Sequence, residues 1–148
     1  MTIAQTSTTS FKVELLEAVH NFGVASPDTF KIALYTAASS IGPSTAVYSA
    51  VNEVVGAGYT AGGATLVIST NPTAGSSASG VPTAFVSFDN AAWPSSSITA
   101  RGALIYNSTQ GNKSVAVLDF GADKTTSANT FLVVFPTASS TAAIIRIA

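Results

Sequence analysis

The chain has 148 residues, only 9% of which are charged, and its formal net charge is −1. An ordinary soluble domain has about 25% charged residues, and nucleic acids and anionic membranes bind strongly basic surfaces. This composition therefore predicts no nucleic-acid or membrane partner, and it leaves few titratable groups from which an active site can be built.

The first part of the chain combines a polar segment with one helix. Residues 1–10 are small and polar, so we predict a mobile N-terminal arm, and they lack the basic and apolar regions of a secretory signal. Apolar residues then recur at helical spacing, which predicts one amphipathic helix over about 11–22. Ser10 is the expected N-cap and Gly23 the expected C-cap.

From Phe30 onward the apolar pattern changes to a period of two, which is typical of half-buried strands. Residues 46–55 fit either a strand or a short helix, and residues 71–81 read as a loop. We predict strands at 30–35, 64–69, 83–88, 98–106, 114–120, 130–135 and 142–147. Residues 11–148 should therefore form a single, mainly β domain, an antiparallel β-sandwich or partly closed barrel with the helix against its sheet.

His20 is the only histidine and the natural starting point for a catalytic hypothesis. The chain has enough serine and aspartate residues for a Ser/His/Asp catalytic set. However, no serine lies in the Gly-x-Ser-x-Gly turn that presents such a nucleophile. The simpler interpretation is a histidine near the C-terminus of the helix that is either stabilised by the helix dipole or partly buried. We predict that the protein is not an enzyme and assign no catalytic residue.

Asp119 and Asp123 are the closest pair of acidic residues in the β region. An aspartate at a strand end usually accepts a hydrogen bond from its own turn, whereas calcium needs six or more oxygens. Glu53 and Asp89 could complete such a site only through the fold. We predict no metal or cofactor, and whether this pair binds a cation stays open.

Residues 56–63 are rich in glycine but lack the Gly-Lys-Ser/Thr of a phosphate-binding loop, so we predict a tight bend with positive φ.

Arg101 interrupts an apolar run. Its predicted partner is Asp89, Asp119 or a neighbouring subunit.

Trp93 precedes a proline, and we place it in a turn as a lid on the core. A sheet face carrying Tyr59, Trp93 and Tyr106 would instead form a platform on which sugars stack. This alternative makes the protein a carbohydrate-binding module.

Several of these segments together resemble a family of small virion proteins of tailed bacteriophages, over about residue 11 to the end. The similar segments are residues 30–36, 52–54 (NEV), 58–63 (GYTAGG), Leu66, Trp93, 99–106 (TARGALIY), 117–124 (VLDFGADK) and 131–147. They are turn and strand signatures, so the resemblance implies a virion component without an activity. Its location within the virion stays open.

The expected function is that of a capsid decoration or cement protein, with a tail, fibre or head–tail junction subunit as the alternative. Such a protein binds the major capsid protein or other virion proteins, and we expect it to form a homo-oligomer. Its expected location is the virion, assembled in the cytoplasm of the bacterial host.

Overall fold

A computed structural model describes residues 2–76 and 79–148. It confirms the mainly β class, with 46% strand, 6% helix and antiparallel sheets. The described strands form open sheets in a sandwich-like arrangement and do not close into a barrel. The elements are β1 (Thr6–Ser7), α1 (Thr9–Leu16), β2 (Phe30–Tyr35), β3 (Ala64–Leu66), β4 (Ile68–Ser76), β5 (Pro82–Phe88), β6 (Ala91–Ser96), β7 (Thr99–Asn107), β8 (Lys113–Thr125), β9 (Asn129–Val133) and β10 (Ile145–Ile147).

The central element is a five-stranded sheet in the order β1-β8-β7-β2-β3. A three-stranded sheet, β10-β5-β4, and a two-stranded sheet, β6-β9, supply side chains to the same core as one of its faces. Ile32, Leu34 and Ile105 of the large sheet join Phe88 and Trp93 of the smaller sheets in this cluster. The main core is therefore the layer where these sheets meet.

The opposite face of the large sheet is also covered. Ala33, Tyr35, Leu104 and Tyr106 form a second buried cluster there, together with Ile3. The prediction that residues 30–35 form a half-buried strand was therefore incomplete, because Ala33 and Tyr35 are as buried as their neighbours. A strand covered on both faces becomes almost continuously apolar, which obscures the period of two.

The prediction of a mobile arm over residues 1–10 was wrong for the described part, which excludes Met1. Ile3 is 4% exposed, and Thr6 and Ser7 pair with Val117 and Ala116 of β8. A Cβ at Gly102 would lie 2.9 Å from Ile3 Cδ1, so this glycine leaves room for the isoleucine. The segment is ordered because it covers sheet surface that would otherwise face water.

The helix is shorter than the predicted range of 11–22 and starts earlier. Thr8, not Ser10, is the N-cap, and its hydroxyl accepts a 3.4 Å hydrogen bond from the amide of Phe11. The C-cap is Glu17, not Gly23, and Ala18 has a φ of 58°. A left-handed residue ends an α-helix, and the chain from there carries Phe22 into the core without further helix.

Every predicted strand is present, but several boundaries moved. The predicted strand 64–69 is divided between β3 and β4. The predicted loop 71–81 continues β4 as far as Ser76, with Ser77 and Ala78 outside the described residues. The predicted strand 114–120 continues to Thr125 in β8, and Trp93 lies in β6 rather than in a turn. Residues 46–55 contain only isolated bridges, including Tyr35 to Glu53.

Candidate functional site

His20 is buried, and both of its ring nitrogens are engaged. Nε2 lies 2.8 Å from Oε2 of Glu14, and Nδ1 lies 3.0 Å from Nδ2 of Asn107. Nδ2 of Asn107 can only donate a hydrogen bond. Nδ1 of His20 is therefore the acceptor, and Nε2 of His20 donates to the Glu14 carboxylate. His20 follows the end of α1 by several residues and is 8% exposed, so the burial interpretation is confirmed and the helix-dipole interpretation is not. The imidazole instead joins the helix to the β7–β8 hairpin.

The hydrogen-bond network around His20 contains two carboxylates. Lys113 Nζ donates to Glu14 Oε1 at 2.7 Å, and Asn107 Nδ2 donates to Asp28 Oδ2 at 2.7 Å. Burial raises the pKa of Glu14, but hydrogen bonds from Lys113 and His20 outweigh burial and leave that pKa below its ordinary value. The pKa of Asp28 is lowered in the same way, since hydrogen bonds led by that of Asn107 outweigh its burial.

Glu53 is the centre of a second buried network that sequence reasoning did not find. Its Oε1 accepts from the Tyr59 hydroxyl at 2.6 Å and from the Gly62 amide at 2.8 Å. Its Oε2 accepts from the Tyr48 hydroxyl at 2.7 Å. Glu53 is 7% exposed, so these three donors replace the water that the carboxylate gives up on folding.

All four tyrosines of the chain contribute to this region, which we call the Glu53 cluster (Tyr35, Tyr48, Glu53, Tyr59, Tyr106). Tyr35 donates to the Ser49 carbonyl at 2.6 Å, and Tyr106 donates to the Gly62 carbonyl at 2.7 Å. Burial raises the pKa of each tyrosine, and the nearby negative charge of Glu53 raises it further. The cluster fastens the loop of residues 48–63 to β2 and β7.

The glycine-rich segment 56–63 adopts the predicted bend. Gly58, Gly62 and Gly63 have positive φ. A Cβ on Gly63 would lie 1.8 Å from the Ile32 carbonyl oxygen, so the bend packs directly onto β2. The glycines of this segment are thus explained by close packing on β2 and by the Gly62 amide and carbonyl, which donate and accept hydrogen bonds in the Glu53 cluster.

Arg101 lies beside the two aspartates considered as a cation site. Its Nε is 3.5 Å from Asp119 Oδ1 and its Nη1 is 3.8 Å from Asp123 Oδ1, so Asp119 is confirmed as a partner. Asp119 Oδ1 also accepts from the Gly121 amide at 2.9 Å, so the predicted hydrogen bond to its own backbone is present although β8 does not end there. Among the described residues, no group of three or more His, Cys, Asp or Glu side chains could hold a metal ion.

The aromatic residues considered for sugar binding are packed against other rings. Trp93 is 5% exposed and lies 5.9 Å from Tyr59 and 6.1 Å from Phe131 between ring centroids. Tyr106 is 2% exposed and stacks on Tyr48 at 4.7 Å. Trp93 and Tyr106 therefore form part of the core and offer no open face for a sugar.

The surface carries large apolar side chains in place of charged ones. The most exposed are Val55 (95%), Leu16 (91%), Val24 (79%), Val51 (71%), Val134 (64%) and Val67 (61%). Phe120, Leu132 and Val134 line a groove of about 390 Å³ between β8 and β9. These features suit contact with another protein surface.

No protein-family model, curated protein or solved structure matches the chain. Within residues 2–76 and 79–148, no helix is long and apolar enough to cross a membrane.

Proposed function

We propose that this protein is a non-enzymatic structural component of a tailed-bacteriophage virion, and specifically a capsid decoration protein. The observation that carries the proposal is the contrast between surface and interior. Large aliphatic side chains such as Leu16, Val55 and Val134 are mostly exposed. In contrast, His20 and Glu53 are buried and hydrogen-bonded within the domain.

This distribution favours binding over catalysis. An active site requires acid, base or nucleophile side chains that converge in an accessible cleft. The side chains of Glu14, Asp28 and Glu53 instead accept hydrogen bonds from donors within the domain. The resemblance of the turn and strand segments to small phage virion proteins supports the same conclusion.

A decoration protein stabilises a shell by binding the assembled form. Contacts that exist only on the assembled shell shift the equilibrium towards it by mass action. A rigid β domain with apolar side chains at its surface loses little conformational entropy when it binds, because its backbone is already ordered. The expected partners are the major capsid protein and neighbouring copies of this chain.

Copy number in the purified virion tests this proposal. Quantitative mass spectrometry should find roughly several hundred copies on a symmetric shell and roughly a dozen in a tail or junction ring. Cryo-electron microscopy would then locate the domain. Recovery of the protein only from infected cytoplasm, and never from virions, would overturn the proposal, and a dozen copies would move it to the tail.

A binding experiment tests the role of the apolar surface. Virions that lack the protein are titrated with single aspartate variants at Val55, Leu132 and Val134, with Ser44→Asp as an exposed polar control. A variant inside the contact should bind at least about tenfold more weakly, since a charge is desolvated there. Unchanged binding by all three folded variants would contradict an apolar contact.

A further inference from the structure

The outer face of α1 is apolar although it faces solvent. Phe11 and Glu14 are buried beneath the helix, whereas Val13 is 51% and Leu16 is 91% exposed. A surface helix of a lone domain normally presents polar side chains on its outer face. Apolar residues on both faces indicate that something covers the outer one.

Charged residues border this apolar pair on either side. At about 100° per residue, Lys12, Leu16, Val13 and Glu17 follow one another around an arc of roughly 140°. Lys12 and Glu17 therefore flank Leu16 and Val13, and both charged residues are exposed. Within the described residues neither forms an ion pair in the domain.

This order is the pattern of one seam of a parallel, two-stranded coiled coil. Such a seam has a β-branched residue and a leucine three positions later in its core, here Val13 and Leu16. The residue just before the β-branched position and the residue just after the leucine are usually charged. They are five residues apart in sequence, and each pairs with the opposite charge on the partner helix. Lys12 and Glu17 have this spacing and opposite signs.

We propose that α1 is a self-association surface, on which a second copy of the chain packs its own α1 in parallel about a two-fold axis. Val13 and Leu16 then meet their own counterparts, and Lys12 of each copy faces Glu17 of the other. A second copy is the occupant because this pair of charges is complementary to itself under that symmetry.

The contact is small, and this sets its strength. One short helix face buries less than the roughly 800 Å² per partner of a standard interface. The dimer is therefore weak in dilute solution and becomes populated when copies are held close together, at effective concentrations of about millimolar. The inference does not depend on the virion proposal, because it concerns only copies of this chain.

Cysteine cross-linking tests the contact on a clean background, since the chain contains no cysteine. In a parallel pair, Leu16→Cys and Val13→Cys should each form disulfide-linked homodimers. Ser127→Cys, at an exposed polar site between β8 and β9, is the matched control. Cross-linking of Leu16→Cys at least about tenfold faster than the control is expected from the raised effective concentration. Equal rates would overturn the proposal.

Charge reversal tests the orientation. Lys12→Glu and Glu17→Lys should each weaken the dimer by about tenfold in sedimentation equilibrium, because two attractive pairs become repulsive. The double variant K12E/E17K should restore it. Failure of the double variant to dimerise while its circular dichroism remains native would overturn the proposal, whatever the virion copy number proves to be.

Discussion

The Tyr59 hydroxyl donates a 2.6 Å hydrogen bond to Glu53 and accepts one of 2.8 Å from the Leu34 amide. The phenol thus connects a buried carboxylate to the backbone of the central strand β2. The carboxylate in turn holds Tyr48 and the Gly62 amide. This relation explains why a glutamate lies just ahead of the glycine-rich bend.

Glu53→Gln should destabilise the protein by about 1–3 kcal/mol, because the new amide group leaves at least one donor without an acceptor. Urea unfolding followed by circular dichroism measures the change. Asp89→Asn, at an exposed acidic site, is the control and should stay within about 0.5 kcal/mol. A loss for Glu53→Gln no larger than that of the control would show that the Glu53 cluster is not held by the carboxylate.

The tyrosines predict a loss of stability in alkali. Burial, assisted by the negative charge of Glu53, raises the pKa of all four above the ordinary tyrosine value of 10.0. Above about pH 10 the unfolded chain releases tyrosine protons that the folded chain keeps, so unfolding becomes more favourable as pH rises. Absorbance at 295 nm should therefore stay low until the protein unfolds and then rise together with the loss of circular dichroism. A gradual rise near pH 10 in folded protein would contradict this expectation.

The carboxylates around His20 predict a loss of stability in acid. The pKa values of Glu14 and Asp28 are lowered in the folded protein, so their stabilisation is complete above the unfolded values of 4.5 and 3.8. It is lost as pH falls through the lower folded values, where the unfolded chain binds more protons. Asp28→Asn should lower the urea midpoint at pH 7 and make the decline below pH 3.8 shallower. An unchanged acid profile in this variant would remove Asp28 from the explanation.

Alanine substitutions at two glycines distinguish the cost of a steric clash with the backbone from the cost of a positive φ. Gly63→Ala places a Cβ 1.8 Å from the Ile32 carbonyl oxygen at a φ of 70°, so we expect a loss of about 4 kcal/mol or more. Gly111→Ala has a similar φ of 67° with no atom within 4 Å, so only strain of about 1–2 kcal/mol remains. Thermal unfolding and soluble yield compare the two variants. Similar losses in both would show that the bend is not packed against β2 as described.

The sequence predicted an element correctly where the pattern of apolar residues within that element was sufficient to identify it. The alternation of Phe30, Ile32 and Leu34 predicted β2, and residue type and position predicted that Asp119 accepts a hydrogen bond from its own backbone. The prediction failed at Ala18, where an alanine takes a left-handed conformation that its helix-forming preference does not suggest. It also failed at Thr6 and Ser7, whose strand exists only because β8 offers an edge with which to pair.

The hydrogen-bond networks around Glu53 and His20 could not be predicted from the sequence for a related reason. Tyr106 bonds the Gly62 carbonyl across 44 residues of chain, and Asn107 bonds His20 across 87 residues in the other network. A hydrogen bond between distant residues depends on which strands become neighbours, and no local periodicity encodes that pairing.

Composition and short-range patterning by themselves determined the mainly β class, most strand positions and the scarcity of titratable groups. These are properties of neighbouring residues, set by side-chain chemistry and backbone preference. Only the tertiary structure decided that the central sheet is covered on both faces, that Glu53 and His20 are buried with their partners, and that Val13 and Leu16 point outward. Each of these depends on how segments distant in sequence share space, and burial is a property of the whole fold.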